Sequence, residues 1–325
     1  MEMPMRKLRF ALFGNIYQPK KSVLVKKLLC SLEERKAEVY IDRKFYEYLT
    51  KQMLLDIQPT ALIDDDFSAD IAVSMGGDGT FLQTASRVAD KGIPIIGINM
   101  GRMGFLADVS GDEIDSTIAS IYADECRVEE RSVLQVEFIR SEKRETSEQR
   151  EQSGACIDFA ESRMRKTEGQ ASESFPYALN EVAVLKRDNS SMISIRVDIN
   201  GEYLTTYQAD GLIINTPTGS TGYALSVGGP IMSPEAHTLG ITPVAPHSLN
   251  VRPITLCDNA EVTLTVESRN HNFLVAIDGR SEACSEETRL HIRKAPYCIR
   301  VLKQPESSFY RTLRSKLMWG NDVRN

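Results

Sequence analysis

The chain has 325 residues and a formal net charge of −6, from 39 basic and 45 acidic side chains. That length accommodates two domains, each able to bury its own core. The negative balance argues against a general nucleic-acid binder, and no run of about 18 apolar residues predicts a transmembrane helix.

Met1–Arg9 is short, and Leu8–Phe13 reads as a first strand rather than a secretory leader. Gly14-Asn15 follows, then a helix with Leu24, Val25, Leu28, Leu29 and Leu32 on one face. Val39–Ile41 reads as a short strand. Ile71–Met75 is the short apolar run expected of a buried parallel strand, and it ends in Gly76-Gly77-Asp78-Gly79-Thr80. Phe81, Leu82, Ala85, Val88 and Ala89 then fall on one helical face, and Gly92 and Pro94 stop that helix. The glycine loop therefore joins a strand end to a helix N-terminus, where free N–H groups and the helix dipole favour an anion. Glycines there let a phosphate approach the backbone. Asp78 would repel a phosphate, and it suits a hydroxyl or a metal ion better. The loop lacks the Lys-Ser/Thr of a Walker A loop and the spacing of Gly-x-Gly-x-x-Gly, and taken alone it is equally a tight βα turn capped by Asp. Ile93–Ile98 continues the alternation. Ser110 and Glu113 form a capping-box pattern before a helix carrying Ile114, Ile118 and Ile121. Strands alternating with helices predict a Rossmann-like α/β domain with a parallel sheet over 1–130.

Beyond about residue 130 the period changes. Val133–Ile139, Val182–Leu185, Ile193–Ile199, Tyr203–Tyr207, Leu212–Ile214, Val262–Val266, Leu274–Ile277, Leu290–Ile292 and Ile299–Leu302 read as strands, and Asn200-Gly201 as a hairpin turn. This predicts an all-β domain, a β-sandwich, over 131–303. No Pro/Gly-rich linker separates the domains, so they are expected to pack directly. Residues 140–176 hold seven basic and eight acidic side chains and few large apolar ones. Such a segment buries too little surface to offset its ordering entropy, and it reads as a mobile surface insertion. The six cysteines (Cys30, Cys126, Cys156, Cys257, Cys284, Cys298) have no Cys-x-x-Cys spacing, and the four histidines (His237, His247, His271, His291) have no metal-ligand spacing. The expectation is a cytoplasmic protein with reduced, structural thiols.

Three further places have the composition of a site. Asn180-Glu181 opens an apolar run, either as turn chemistry or as an amide and a carboxylate that hold a ribose or an amide. Thr216–Pro230 holds three Thr, two Ser, one Tyr and four Gly, a hydroxyl density that can wrap an adenosine or ribose. Asp278-Gly279-Arg280 follows the strand-like Phe273–Ile277, with Asp278 either a turn residue or a second site carboxylate.

Gly76–Thr80, Asn99-x-Gly101-x-x-Gly104-Phe105, Asn180-Glu181, Asp210-Gly211, Thr216–Pro230 and Asp278 occur in the order seen in the NAD kinases. The chain resembles the bacterial members from about Leu8 to about Gly320, apart from the 140–176 insertion. The Gly-Gly-Asp-Gly loop is shared with phosphofructokinases and with diacylglycerol and sphingosine kinases. The Asn-Glu and Thr-Pro-Thr-Gly-Ser-Thr motifs are more specific.

The resemblance implies transfer of the ATP γ-phosphoryl group to the adenosine 2′-hydroxyl of NAD, with Asp78 accepting the hydroxyl proton. It implies Gly76, Gly77, Gly79 and Thr80 at the phosphates, with Phe105 nearby. It places Asn180, Glu181 and Asp210 on the NAD ribose and base region, and Thr221, Gly222, Tyr223, Ala224, Leu225 and Ser226 on the adenine and nicotinamide subsites. The family often has Ala where this chain has Gly222. Ser191, Gln208, Ala245, Asp278 and Arg280 join the set by motif alignment. Mg²⁺ or another divalent cation would arrive with ATP. The resemblance further implies a homodimer or homotetramer, and a final segment, about 304–325, that crosses back to the first domain on Phe309, Leu313, Leu317 and Trp319. A diacylglycerol-type lipid kinase and a non-catalytic NAD(P)-binding sensor are the rival readings. The first has no use for the Asn-Glu and Thr-Pro-Thr-Gly motifs, and an intact Asp78 speaks against the second.

Overall fold

A computed structural model describes residues 6–16, 22–101, 104–140, 176–187 and 191–320. The first part alternates β1 (Arg9–Gly14), α1 (Ser22–Glu34), β2 (Glu38–Asp42), α2 (Arg43–Lys51), β3 (Ala61–Ile63), β4 (Ile71–Gly76), α3 (Asp78–Val88), β5 (Ile95–Asn99) and α4 (Ile114–Tyr122). The second part is almost all strand: β6 (Arg127–Arg140), β7 (Tyr177–Ala178), β8 (Glu181–Lys186), β9 (Ile193–Ile199), β10 (Glu202–Ala209) and β11 (Gly211–Asn215). The short helix α5 (Tyr223–Ser226) follows, then β12 (Thr238–Val244), β13 (Ile254–Cys257), β14 (Val262–Glu267), β15 (Asn272–Ile277), β16 (Arg280–Ser285), β17 (Thr288–Lys303) and α6 (Phe309–Leu317).

The parallel strands run in the order β5-β4-β1-β2-β3. The chain leaves β1 toward β2 and β3 and returns to β4 on the other side, so the order reverses between β1 and β4. In open α/β sheets such a reversal leaves a crevice at the carboxyl ends of the two strands, where ligands bind. Val25, Leu28 and Leu32 of α1, Phe45 and Leu49 of α2, and Ile114, Ile118 and Ile121 of α4 bury one face of this sheet with Phe10, Leu12 and Val73. Phe81, Ala85 and Val88 of α3 cover the other face with Ala11, Ala72 and Ile95. The capping box at Ser110 and Glu113 is formed. It starts the α4 region as its sequence pattern predicts.

The parallel and antiparallel regions share one sheet. Val301 near the end of β17 pairs in parallel with Ile95, while the start of β17 pairs antiparallel with β14, and β6 lies along it from Thr288↔Arg140 to Lys303↔Arg127. A second sheet, β13-β12-β11-β8-β15-β16, packs against this extension. Val182, Val184, Leu212, Ile214, Phe273 and Val275 from one layer meet Val136, Ile195, Val197, Leu264, Leu290 and Ile292 from the other in a continuous core. Alternation along each strand supplies that face. The hairpin at Asn200 (φ 51°) and Gly201 (φ 82°) joins β9 to β10, matching its Asn-Gly signal.

Leu290–Ile292 and Ile299–Leu302 are not two strands, as their separation in the sequence suggests, but one strand of 16 residues. Ala295-Pro296-Tyr297 is absorbed by a register shift between Lys294 and Cys298 rather than by a break. The insertion read at 140–176 lies, from 141 to 175, outside the described residues.

Candidate nucleotide site

The Gly76–Thr80 loop sits where the sheet order reverses. Gly77 caps α3 without a side-chain bond, and Asp78 is the first helical residue. A cleft of about 710 Å³ opens there between the carboxyl ends of β1 and β4, with Gly14, Asn15, Asp42 and Lys44 on one side, Gly77, Gly79, Thr80 and Gln83 below, and Asp278 and Arg280 opposite. A methyl group added at Gly77 or Gly79 meets nothing within 4 Å, whereas one at Gly76 would lie 2.2 Å from Thr80 Oγ1. The fold needs glycine at 76 to admit the Thr80 side chain. At 77 and 79 the fold does not need it, and the bare backbone faces the cleft.

Asp78 points away from the cleft, toward the turn after β5. Its Oδ1 accepts from the N–H groups of Leu106 (3.0 Å) and Ala107 (3.1 Å), and its Oδ2 from that of Phe105 (2.9 Å). Lys316 Nζ donates to Oδ2 at 3.3 Å and lies 4.4 Å from the centre of the Phe105 ring. Burial acts to raise the Asp78 carboxyl, but the Ala107 and Phe105 N–H groups, the Lys316 charge and the Leu106 N–H outweigh it and hold the carboxyl below its usual range. Gly104 is obligatory here, because a methyl group would lie 1.9 Å from Asp78 Oδ1.

Asp278 repeats this arrangement. Its φ is 46°, and its carboxylate accepts from the N–H groups of Leu179 (2.7 Å), Asn180 (2.8 Å) and Glu181 (3.1 Å). It is a turn residue that also lines the cleft, and it fixes the backbone of the Asn-Glu motif. Burial nevertheless leaves its carboxyl raised, against those three N–H groups and the Arg280 charge. Glu181 is pushed up to about 7, first by burial and then by the Asp278 charge, against the Tyr223 N–H. Its Oε2 is buried without a hydrogen-bond partner, and a methyl group at Gly222 would come within 2.7 Å of it. A carboxylate in that state accepts a ligand donor at little cost, because it has no bond to give up.

The Thr216–Pro230 segment folds over the same motif, and three of its hydroxyls bond local backbone while Thr218 Oγ1 is buried without a hydrogen-bond partner. Thr216 Oγ1 donates to Leu179 O and accepts from Gly219 N–H, Ser220 Oγ donates to Pro217 O and accepts from Met232 N–H, and Thr221 Oγ1 donates to Thr218 O. A methyl group on Gly219 would lie 2.1 Å from Asn180 O, so glycine lets the loop lie directly on the Asn-Glu backbone. Ala224 is fully buried, Leu225 is half-buried, and Tyr223 and Ser226 are exposed beside Gly222.

The remaining residues gather elsewhere. Asn215 pairs with Glu181 at one end of β11, and Gly211 pairs with Leu185 at the other. Asp210 is at that far end, in an ion pair with Lys186 (2.7 Å), and its N–H donates to Val244 O beside Ala245 (φ 45°). Gln208 O accepts from His247 N–H, and its side chain donates to Ser194. Ser191 precedes β9, whose Ile193 pairs with Ala209. At a strand rise of ~3.4 Å, the four steps from Gly211 to Asn215 place the Asp210 end of β11 about 14 Å from the Glu181 end.

Sequence reasoning missed Lys316, which lies 238 residues from Asp78 in a segment without a motif. It also missed Asn15, Asp42, Lys44 and Gln83 of the cleft, which become legible only once the β1–β4 reversal is known.

A glycine loop at a helix N-terminus, set where the strand order of a parallel sheet reverses and backed by a β-sandwich, defines a class of α/β nucleotide-binding proteins. Two family models match the chain, the ATP-NAD kinase N-terminal domain over residues 10–126 and the ATP-NAD kinase C-terminal domain over residues 179–304. An NAD kinase of Bacteroides fragilis is 54% identical over 318 residues, 98% of this chain and 100% of that protein. One of Flavobacterium psychrophilum is 39% identical over 321 residues, again 98% of this chain and all of that protein. The chain belongs to the NAD kinase family. The fold agrees: a yeast NADH kinase solved with NADH superposes with a TM-score of 0.79 at 20% identity, covering 98% of this chain and 89% of that one. An Archaeoglobus fulgidus NAD kinase solved with ATP superposes at 0.67 with 23% identity, over 96% and 99%.

Proposed function

We propose that this chain is an NAD kinase that transfers the γ-phosphoryl group of ATP to the 2′-hydroxyl of the NAD adenosine ribose, releasing ADP and NADP. The observation that carries the reading is the pair Gly77 and Gly79, bare toward the cleft at the α3 N-terminus although the fold has room for a side chain at both. Exposed N–H groups at a helix N-terminus with nothing above them suit phosphate oxygens. Lys44 and Arg280 add positive charge to the cleft walls. The triphosphate is assigned to this cleft, and the NAD to the adjoining surface formed by Asp78, Phe105, Asn180, Glu181 and the 221–226 segment.

In the transfer the 2′-oxygen bonds to the γ-phosphorus as the bond from that phosphorus to the β-bridging oxygen breaks. The hydroxyl proton passes to Asp78. Its carboxylate has about four lone-pair positions. Three N–H groups and Lys316 take them, and Lys316 is the longest and the only side-chain donor of the four. The acceptor hydroxyl is therefore placed at Oδ2, beside the longest of these contacts. A carboxyl held below its usual range is a weak ground-state base, so Asp78 contributes chiefly by aligning the hydroxyl and receives the proton late.

A divalent cation fits as a companion of the triphosphate. Among the described residues no cluster of three or more His, Cys, Asp or Glu side chains forms a preformed cage. Asp42 reaches the cleft, and the cation would neutralise charge on the phosphate oxygens it shares.

Asp210 lies at the far end of β11 from Glu181, with Gln208, Ser191 and Ala245 on or beside other strands. We infer that they serve the pocket of a second copy, in a homodimer or homotetramer. ADP release measured with ATP, with NAD and with both tests the reaction: release requiring both substrates is expected, and release that ignores NAD would overturn it.

A further inference from the structure

Lys316 stands outside every motif, yet it is the only cationic side chain that touches Asp78 among the described residues. Its placement is anchored. The end of β17 and the tail after it hold the turn that follows β5 and its neighbours β6 and α4. Lys303 Nζ (2.8 Å) and Ser307 Oγ (2.6 Å) both reach Asp108, Arg127 donates to Ser307 O (2.7 Å), and Gln304 bonds Thr117. The Phe309 ring packs on Phe105 at 6.3 Å, and Thr312 and Leu313 are buried. Lys303 and Asp108 are only 5% and 10% exposed, so that contact is not a loose surface pair. The turn at 105–108 is thus clamped between Asp78 on one side and the tail on the other, and α6 delivers Lys316 to both Asp78 and Phe105.

We propose that Lys316 is a positioning residue of the phosphoryl-transfer site, which holds the Asp78 carboxylate and the Phe105–Ala107 turn in the geometry that receives the acceptor hydroxyl. The Gly76–Thr80 loop contains no lysine, so positive charge beside Asp78 has to come from elsewhere in the chain. An ammonium carries three donors. A partly exposed ion pair adds only about 0–1 kcal/mol to stability, so the effect of Lys316 belongs in turnover rather than in folding.

The proposal rests on the NAD kinase reading, and the test separates the two. Lys316→Met keeps the apolar stem over Phe105 and removes the charge. Lys316→Arg restores a cation. Arg314→Met, two residues back and on another side of α6, removes a charge from the same helix without touching Asp78. The expected result is a kcat lowered roughly tenfold or more in Lys316→Met, less than the roughly 10²–10³-fold lost when a donor that touches the transition state is removed, because Lys316 acts through Asp78. KM for ATP and for NAD should change less than about twofold, Tm should hold, Lys316→Arg should recover most of the loss, and Arg314→Met should match the wild type. A Lys316→Met turnover equal to or above that of the wild type, or a loss that arginine does not restore, would overturn the proposal. If the wild type shows no NAD-dependent ADP release, the functional reading fails instead. Hydrogen exchange at the Phe105, Leu106 and Ala107 amides then decides: faster exchange in Lys316→Met supports the positioning role, and unchanged exchange overturns it.

Discussion

Asp78 and Asp278 meet the same local demand, each gathering three successive main-chain N–H groups, from 105–107 and from 179–181. This sharpens the expectation for Asp78→Asn. The amide can keep its oxygen toward Leu106 and Ala107 only by turning its NH₂ toward the Phe105 N–H and Lys316. The variant should lose kcat by orders of magnitude while NAD still binds, and it should also lose about 1–3 kcal/mol of stability from the donor left opposed. Turnover near normal would remove Asp78 from the reaction. Glu181 makes a pH prediction. Its carboxyl is raised to about 7 in the fold, above its unfolded value, so the folded state holds the extra proton between the two. The stability that this proton confers is present below the unfolded value and is lost as pH rises through about 7. Glu181→Gln should therefore gain Tm relative to the wild type at pH 8 compared with pH 5. A difference in Tm independent of pH would contradict the assigned burial. Removing the side chain, as in Glu181→Ala, should raise KM for NAD far more than KM for ATP, and equal effects would refute its place on NAD.

At the scale of elements, two glycines that look alike in the sequence have opposite roles. Gly219→Ala drives a methyl group into the Asn180 carbonyl and should cost stability, read as a lower Tm, with NAD binding lost alongside. Gly79→Ala meets only open space, so Tm should hold while KM for ATP rises. A drop in Tm there would show that the fold, not the phosphate, requires the glycine. The glycine loop was legible because strand, loop and helix signals are local: β4 ends at Gly76, and α3 starts at Asp78. The hydroxyl-rich loop was legible as a place but not in its use. A Thr or Ser that bonds its own backbone has the same composition as one awaiting a ligand. The single β17 was hidden because Pro296 signals a break, and only pairing with β6 on either side of a register shift carries the strand past it. Asp42 caps α2 by accepting from Phe45 N–H, yet that helix gave no usable signal, its buried face resting on only Phe45 and Leu49. Lys316 was illegible for a different reason, since a contact between residues 78 and 316 has no local trace.

For the whole molecule, the shared sheet means that the parallel and antiparallel regions cannot rotate freely about a linker, because β17 belongs to both. The chain leaves β6 at Arg140 and returns at Tyr177, which pairs with Gln135, so the ends of the 140–176 segment are set by sheet pairing. Replacing about residues 142–174 with a short Gly-Ser link should leave Tm within a few degrees and basal activity intact, and a collapse of folding would show the segment to be structural. On the proposal that the Asp210 end of β11, about 14 Å from the Glu181 end, serves the pocket of a second copy, assembly is a functional matter. Light scattering should give a mass near two or four times 36.4 kDa, and a fully active monomer on dilution would rule out a shared pocket.

The central claim is that the γ-phosphoryl group goes to one hydroxyl, the adenosine 2′-oxygen of NAD. Its most direct test is to follow ADP release and the mass of the nucleotide product with ATP and either NAD or an NAD analogue lacking that hydroxyl. Release with NAD, matched by a product one phosphoryl group heavier, and none with the analogue is the predicted result. Equal release and phosphorylation with the analogue would place the chemistry at another oxygen and contradict the account.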